Sequence, residues 1–360
     1  MNLIFAVFKL LPVKDKITFI SRQANEKTED IQMLGDELAE KYPEIGLVFL
    51  TRKLDGGIAR KIGYCFHMLT QMYHIATSKV VILDSYCICI SVLKQRESLT
   101  VIQMWHALGS LKRFGLSIVG EGGGRDAGVA DAMAMHKNYT WVLTSGEACL
   151  PNFAEAFGYG EESMKVMSLP RVDKLTDEAQ KADALKRIYE RYPEFREKKV
   201  VVYAPTFRKS KDISGETDEL AKQFDPEKYI FVLKKHPLME ANCSTAMIDS
   251  EFTTLEMMYA ADYVICDYSA VVYEAAIMRK PLFFYTFDYE DYGVERDFYI
   301  DYKKEMPGFI SPDPAELAEA VCEDRYDLGK VEEFSRRYVA NQENCTAQLA
   351  EFAAGQIKIN

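Results

Sequence analysis

Residues 263–285 read YVICDYSAVVYEAAIMRKPLFFY, and this stretch limits the possible folds more than any other. An apolar, β-prone run stops at Asp267-Tyr268-Ser269. Val271, Ala275, Ile277 and Met278 then recur at roughly helical spacing, and a second apolar run follows Pro281. The pattern predicts a strand, a tight turn, a helix and a second strand, which is a βαβ unit. Ser269 stands where the helix begins. A hydroxyl there satisfies free backbone N–H groups, and the same groups would face an anion such as phosphate. On these residues alone a plain helix cap and an anion site are both open.

A chain of 360 residues exceeds one ordinary core and suits two domains, which we place at 1–175 and 176–360. Its 48% hydrophobic and 28% charged residues describe a soluble globular protein. No run approaches the roughly 20 apolar residues that span a bilayer. Eight cysteines are scattered, with only Cys87 and Cys89 close together. Without a signal peptide they read as reduced, mostly buried thiols in a cytosolic protein, not as a disulfide framework or zinc site. The net charge of −11 divides unevenly, with 20 Lys and Arg against 19 Asp and Glu in residues 1–175, and 24 against 36 in residues 176–360. That balance argues against nucleic-acid binding by the whole chain and leaves a local basic face on the first half open.

Strand-like runs at residues 16–21, 45–51, 79–83, 100–105, 141–145 and 165–169 alternate with helix-length intervals, one of them patterned by Ile31, Leu34 and Leu38. Further strands are expected at 199–203 and 229–233 before the opening βαβ unit. Such alternation predicts mostly parallel sheets with helices on both faces. Residues 176–199 read as a charged helix crossing into the second domain, and residues 209–217 as a polar loop. Residues 315–355 read as helical and able to pack back across the first domain. The opening MNLIFAVFKLLP suits either a short helix lying in a lipid headgroup layer or an element packed on the domain. Residues 116–130 carry Gly120, Gly122, Gly123, Gly124 and Gly128 but neither a P-loop nor a G-x-G-x-x-G, so they read as a mobile loop near the site or a surface connection.

Four motifs sit where an apolar strand gives out, and in α/β sheets the carboxyl ends of strands open onto the ligand crevice. They are QMWHALGSLK at 103–112, APTFR at 204–208, KKHP at 234–237 and DYS at 267–269. The first lies in one domain and the rest in the other, so a site built from all four would lie in the cleft between domains. Of five histidines, His106 and His236 each follow a strand and have cationic neighbours, Lys112 and Arg113 for one, Lys234 and Lys235 for the other. An imidazole there takes a proton from a hydroxyl or, held protonated, stabilises a phosphate; a core histidine satisfied by backbone is the alternative for each. His67, His74 and His136 fall in helix-like segments. Arg208, Lys235, His236 and the helix start at Ser269 supply donors suited to a diphosphate. No carboxylate cluster or His/Cys pattern marks a metal, and a Mg²⁺ at Asp267 would rest on a lone carboxylate, so no metal or cofactor is expected.

In this order the motifs resemble the CDP-glycerol:poly(glycerophosphate) glycerophosphotransferases, the teichoic acid primases and polymerases of Gram-positive bacteria. The likeness runs over most of the chain, through Trp105-His106, Pro170-Arg171-x-Asp173, Ala204-Pro205-Thr206-x-Arg208 and His236-Pro237. It continues through Asp262, Asp267-Tyr268-Ser269, the strand at 281–285, Phe298-Tyr299-Ile300-Asp301-Tyr302 and Pro307-Gly308. It implies the GT-B architecture, two Rossmann-like domains facing a cleft, with the nucleotide held by the C-terminal one. It also implies transfer of glycerol phosphate or ribitol phosphate from a CDP-alditol to a hydroxyl of a polyprenyl-linked glycan or polyol-phosphate acceptor, releasing CMP. The enzyme would work as a peripheral protein at the cytoplasmic face of the membrane. By the same resemblance His106 would be the general base. His236, Arg208, Lys235 and Ser269 would hold the diphosphate, with Thr206, Asp267 and Tyr268 close to the nucleotide and Gly109 and Lys112 on the acceptor side. The chain departs from common family patterns at Trp105-His106-Ala107-Leu108-Gly109-Ser110, where many members read Trp-His-Gly-Thr-Pro, and at Arg296-Asp297-Phe298, where members often read Arg-Gly-Phe. The first departure looks more like the polymer-extending and ribitol-phosphate branches. A GT-B sugar transferase using a nucleotide sugar and a non-catalytic binding protein on the same scaffold are the competing readings.

Overall fold

Each half of the chain folds around an all-parallel six-stranded sheet. The computed structural model describes residues 1–53, 58–121, 123–208, 211–236, 239, 242–295 and 297–359. Two units result: Met1–Leu108, Arg113–Asp173 and Ala340–Asn360 form the first, and Gly109–Lys112 with Lys174–Val339 form the second.

In the first unit the strands are β1 (Lys14–Ser21), β2 (Gly46–Thr51), β3 (Ser78–Leu83), β4 (Thr100–Gln103), β5 (Trp141–Thr144) and β6 (Met164–Val166), ordered β2-β1-β3-β4-β5-β6. Helices α1 (Asn2–Phe8), α2 (Glu29–Lys41) and α3 (Ile58–Ala76) precede or connect the first three. Val80, Val81, Ile82 and Leu83 are all buried, as in a strand covered on both faces. The strand order reverses between β1 and β3, and in such folds the reversal point is where loops part to admit a ligand. Within 116–130 the described residues are mostly exposed and make local turns: Gly120 N donates to Arg125 O, Gly124 N donates to Glu121 O, and a Cβ at Gly124 would fall 1.6 Å from Ile118 O. Gly122 lies outside the described residues.

The second sheet contains β7 (Lys199–Ala204), β8 (Tyr229–Leu233), β9 (Met247–Ile248), β10 (Tyr263–Cys266), β11 (Leu282–Tyr285) and β12 (Phe309–Ser311), ordered β12-β11-β10-β7-β8-β9. This is the dinucleotide-binding strand order, with its reversal between β7 and β10. Tyr263 pairs with Val201 and Cys266 with Ala204, so the two central strands end together. The opening stretch folds as the βαβ unit its pattern predicts, through a helix at Val271–Ile277. Arg279 closes that helix at φ 53°, the left-handed conformation that ends helices, and Pro281 blocks any continuation. The polar stretch expected as a loop already turns helical at Ser214–Ala221, its first turn held by Asp212, which accepts from Ser214 N and Oγ. The short strands β9 and β12 were not foreseen, being too brief to show a period.

The C-terminal segment forms three helices, Pro314–Cys322, Leu328–Tyr338 and Cys345–Ile359. The last packs against α2 and β3 of the first unit. Its start is capped from far away in sequence: Asp173 accepts from Cys345 N at 2.7 Å, from Thr346 N at 2.8 Å and from Thr346 Oγ1 at 2.7 Å. A cap of this kind contributes about 1–2 kcal/mol. Asp173→Ala is therefore expected to lower stability by about that amount in urea unfolding, and an unchanged midpoint would show that the helix is held by packing alone.

Candidate active site

His106 follows β4 by way of Trp105, whose backbone takes φ 63°. A tryptophan in the left-handed region is strained, and such strain persists only where the surroundings impose it. Here Trp105 N donates to the buried Gln103 Oε1 at 3.0 Å, while the indole stacks on Phe114 and meets Phe157 edge-on. The buried His136, its pKa pushed down to about 4 by burial, packs against the same indole and serves as core. The turn so formed brings the His106 ring to the end of neighbouring β3, where Nδ1 lies 2.8 Å from the Asp84 carbonyl oxygen. The Gln23 amide nitrogen lies 3.0 Å from the same Nδ1. A carbonyl can only accept, so the Asp84 contact places the proton on Nδ1 and leaves Nε2 its lone pair; the Gln23 amide nitrogen, itself a donor, then makes no hydrogen bond to Nδ1. Desolvation, reinforced by the charge of Arg171, holds the His106 pKa below the ordinary imidazole value, although the bond to Asp84 acts the other way. The ring is thus a neutral base at neutral pH. The Asp84 side chain is itself buried; its Oδ2 accepts from Thr28 Oγ1, and burial pushes its carboxyl pKa up.

In the second unit the paired ends of β7 and β10 are joined by Asp267, which is fully buried. Its carboxylate accepts from Thr206 N at 2.8 and 3.0 Å, from Thr206 Oγ1 at 2.7 Å and from Arg208 Nη1 at 2.8 Å. Arg208 is turned inward too, its side chain 4% exposed, with Nε and Nη2 on Asp288 at 2.6 and 2.9 Å and Nη1 also on Thr206 O. Burial works against its charge, but the bonds from Asp288 and the charge of Asp267 outweigh it and raise its pKa. Tyr268, fully buried, donates to Asp288 at 3.1 Å and stacks on Tyr292. The structure therefore brings Thr206, Arg208, Asp267 and Tyr268 together as an internal brace. Arg208, expected to offer its guanidinium to a diphosphate, has Asp267, Asp288 and Thr206 as partners in this structure.

Of the two lysines beside His236, Lys234 continues the inward face of β8 and is buried on Asp249, with further bonds to the carbonyls of Asp249 and Phe252. Lys235, on the outward face, has no ion-pair partner among the described residues. His236 is exposed and lies 5.3 Å from the Phe207 ring, and desolvation lowers its pKa. Pro237 lies outside the described residues, as does Arg296. Ser269 is not the residue in the cap position, which Ala270 occupies; the Ser269 hydroxyl accepts from Val271 N at 3.4 Å. Gly109 and Lys112, expected with the first domain, belong to the second unit. An added Cβ at Gly109 would meet the Tyr273 ring at 2.6 Å, and Lys112 Nζ donates to Tyr292 OH at 3.0 Å. Asp288, Asp30 and Arg171 were missed as site-supporting residues; only the Arg171 motif carried any signal. Among the described residues no group of three or more His, Cys, Asp or Glu is placed to hold a metal ion.

A separate surface lies on α1 and α3 of the first unit. Phe5 anchors α1 in the core, and Arg96 holds the carbonyls of Lys9, Leu11 and Ala76. Leu3 and Val7 on α1 and Leu10 just after it remain exposed, at 87%, 62% and 85%, as do Phe66, Leu69 and Tyr73 on α3. Among the described residues no helix is long and apolar enough to cross a membrane.

A family model described as CDP-Glycerol:Poly(glycerophosphate) glycerophosphotransferase matches residues 3–348. Similar proteins include a teichoic acid ribitol-phosphate primase of Bacillus spizizenii, 31% identical over 358 residues that cover 95% of this chain and 92% of the relative. A teichoic acid poly(ribitol-phosphate) polymerase of the same organism is 32% identical over 346 residues, 92% of this chain but 54% of the relative. Among solved structures, the wall teichoic acid polymerase TagF matches with a TM-score of 0.77 at 20% identity, covering 99% of this chain and 94% of that one. The fold is accordingly GT-B, two Rossmann-like α/β domains.

The brace makes a stability prediction. Arg208→Met would strand two buried carboxylates, and breaking a buried pair from one side costs about 3–5 kcal/mol. Chemical unfolding should show a loss of that order, and native-like stability would mean that Arg208 is not structural.

Proposed function

Because this chain belongs to the CDP-glycerol:poly(glycerophosphate) glycerophosphotransferase family, we propose that it moves the alditol phosphate of a CDP-alditol onto a hydroxyl of a lipid-linked teichoic acid or related cell-surface polymer, releasing CMP. The observation that carries the reading is His106: a strained turn and a carbonyl fix one ring nitrogen as the donor, which leaves the other as a base. The acceptor oxygen bonds to the distal phosphorus of the donor as its proton passes to Nε2. The bond from that phosphorus to the bridging oxygen breaks, and CMP departs with the electron pair.

The diphosphate is met by Lys235 and His236, with Ser269 and the backbone of its turn as hydrogen-bond partners. Desolvation lowers the His236 pKa, and an adjacent phosphate would raise it and favour the protonated, charge-stabilising form. Thr206, Asp267, Tyr268 and Arg208 shape the strand ends around the donor without spending their own hydrogen bonds on it. Ribitol is the first alditol to test, since the primase and the polymerase described above, 31% and 32% identical, carry ribitol phosphate in their names. The apolar surface of α1 and α3 is proposed to rest on the membrane that holds the acceptor, with Lys9 and Lys14 close by in the chain for anionic headgroups.

With CDP-ribitol, CDP-glycerol and a UDP-sugar offered in parallel, product mass spectrometry should find alditol phosphate on the acceptor; transfer of a sugar alone would reject the reading. The same assay in EDTA should keep its turnover if protein cations suffice. His106→Ala should lower turnover by about 10²–10⁴-fold with donor affinity retained. The acidic limb of kcat/KM should lie below about 6.5, since a lowered pKa keeps the base unprotonated at lower pH. Leu3→Asp with Leu10→Asp should abolish co-sedimentation with anionic liposomes, and unchanged binding would place the membrane contact elsewhere.

A further inference from the structure

The Pro170-Arg171-x-Asp173 motif has no chemistry of its own in the reaction, yet Arg171 reaches the base. Its Nη2 donates to the backbone carbonyl of His106 at 2.7 Å. Its own position is set by Asp30, which is buried and accepts from Arg171 N at 2.9 Å while its other oxygen lies 3.3 Å from Arg171 Nη1. Two residues later, Asp173 is fixed on the helix Cys345–Ile359.

Asp30 lies in the first turn of α2, and the residue before that helix is Thr28, whose hydroxyl donates to Asp84. Asp84 supplies the carbonyl that holds the His106 ring. One helix start therefore controls both ends of the same residue: Thr28 steadies the strand end that grips the imidazole, and Asp30 steadies the guanidinium that grips the peptide. The preceding Trp105 needs such restraint, since its left-handed backbone would otherwise relax and carry the imidazole with it.

We infer that Arg171 is a positioning residue for His106, held by Asp30, and that it fixes where Nε2 is presented to the acceptor hydroxyl. The inference rests on the reading of His106 as general base. An active-site group displaced by about 1 Å can lose some 10²-fold in rate, so the expected effect is on turnover and not on donor binding.

The test compares Arg171→Met, Arg171→Lys and Asp30→Asn in the full chain, with His106→Ala as the control. Arg171→Met should lower kcat about 10²-fold while KM for CDP-ribitol stays within about twofold, and Arg171→Lys, which keeps one donor and the charge, should recover most of that loss. In protein labelled with ¹⁵N-histidine, the native His106 should show the Nδ1–H tautomer, and Arg171→Met should show a tautomer mixture. A folded Arg171→Met enzyme with native kcat and native histidine spectrum overturns the inference, as does a loss of kcat accompanied by an equal loss of donor affinity. Should Arg171→Met not fold, Asp30→Asn carries the same readouts, with a smaller fall in kcat expected and an unchanged kcat overturning it. Full turnover in His106→Ala would reject the base itself, a result separate from the failure of Arg171 to position it.

Discussion

A carboxylate shut away from water is tolerable only where N–H groups or cations replace its lost hydration, and the loops at the strand ends are organised around that requirement. Asp267 draws Thr206 and Arg208 onto the end of β10. Asp249 turns Lys234 inward, and Asp218 collects the amides of Ser244, Thr245 and Ala246. In the first unit the buried Asp30 does the same for Arg171, while the half-buried Asp173 holds the last helix. These bonds join residues far apart in sequence, so the loops that carry the proposed chemistry are shaped by acids rather than by the sheets alone. Removing one member leaves the others buried and unpaired, which is costlier than losing a contact at the surface.

The sheets and the residues at their ends were largely legible in the sequence. Buried parallel strands read as continuous apolar runs, and where such a run stops, the next polar residue stands at the mouth of a crevice. That reasoning placed His106, Thr206, His236 and Asp267 just beyond strand ends, where they stand. It did not give the direction of the side chains. Arg208 looked like a phosphate ligand because nothing in its neighbourhood announces Asp288, which lies beyond four intervening strands in the chain. For Lys234 and Lys235 the signal existed, since continuing the alternation of β8 would have sent one inward and the other outward. The association of residues 109–112 with the second unit had no local signature, being decided by the Tyr273 ring and by strand-like pairing with Phe298.

The distribution of positive charge gives the proposed donor site a particular character. Among the described residues Arg208 and Lys234 are occupied internally, and desolvation lowers the His236 pKa, which favours the neutral ring before a phosphate approaches. In the proposed donor site an arriving phosphate would favour the protonated ring, which would couple donor affinity to pH. On the base side desolvation again lowers the imidazole pKa, and the charge of Arg171 adds to it, so both histidines are biased toward the neutral ring mainly by burial.

The route of the chain has a bearing on biosynthesis. The second unit is drawn almost wholly from one continuous stretch, whereas the first is left unfinished until Cys345–Ile359 arrives to cover α2 and β3. During translation the later-encoded half can therefore reach its native state before the earlier one does. The interim leaves apolar surface of the first sheet's layer uncovered on the nascent polypeptide, a natural target for chaperones and a reason for truncated products to aggregate.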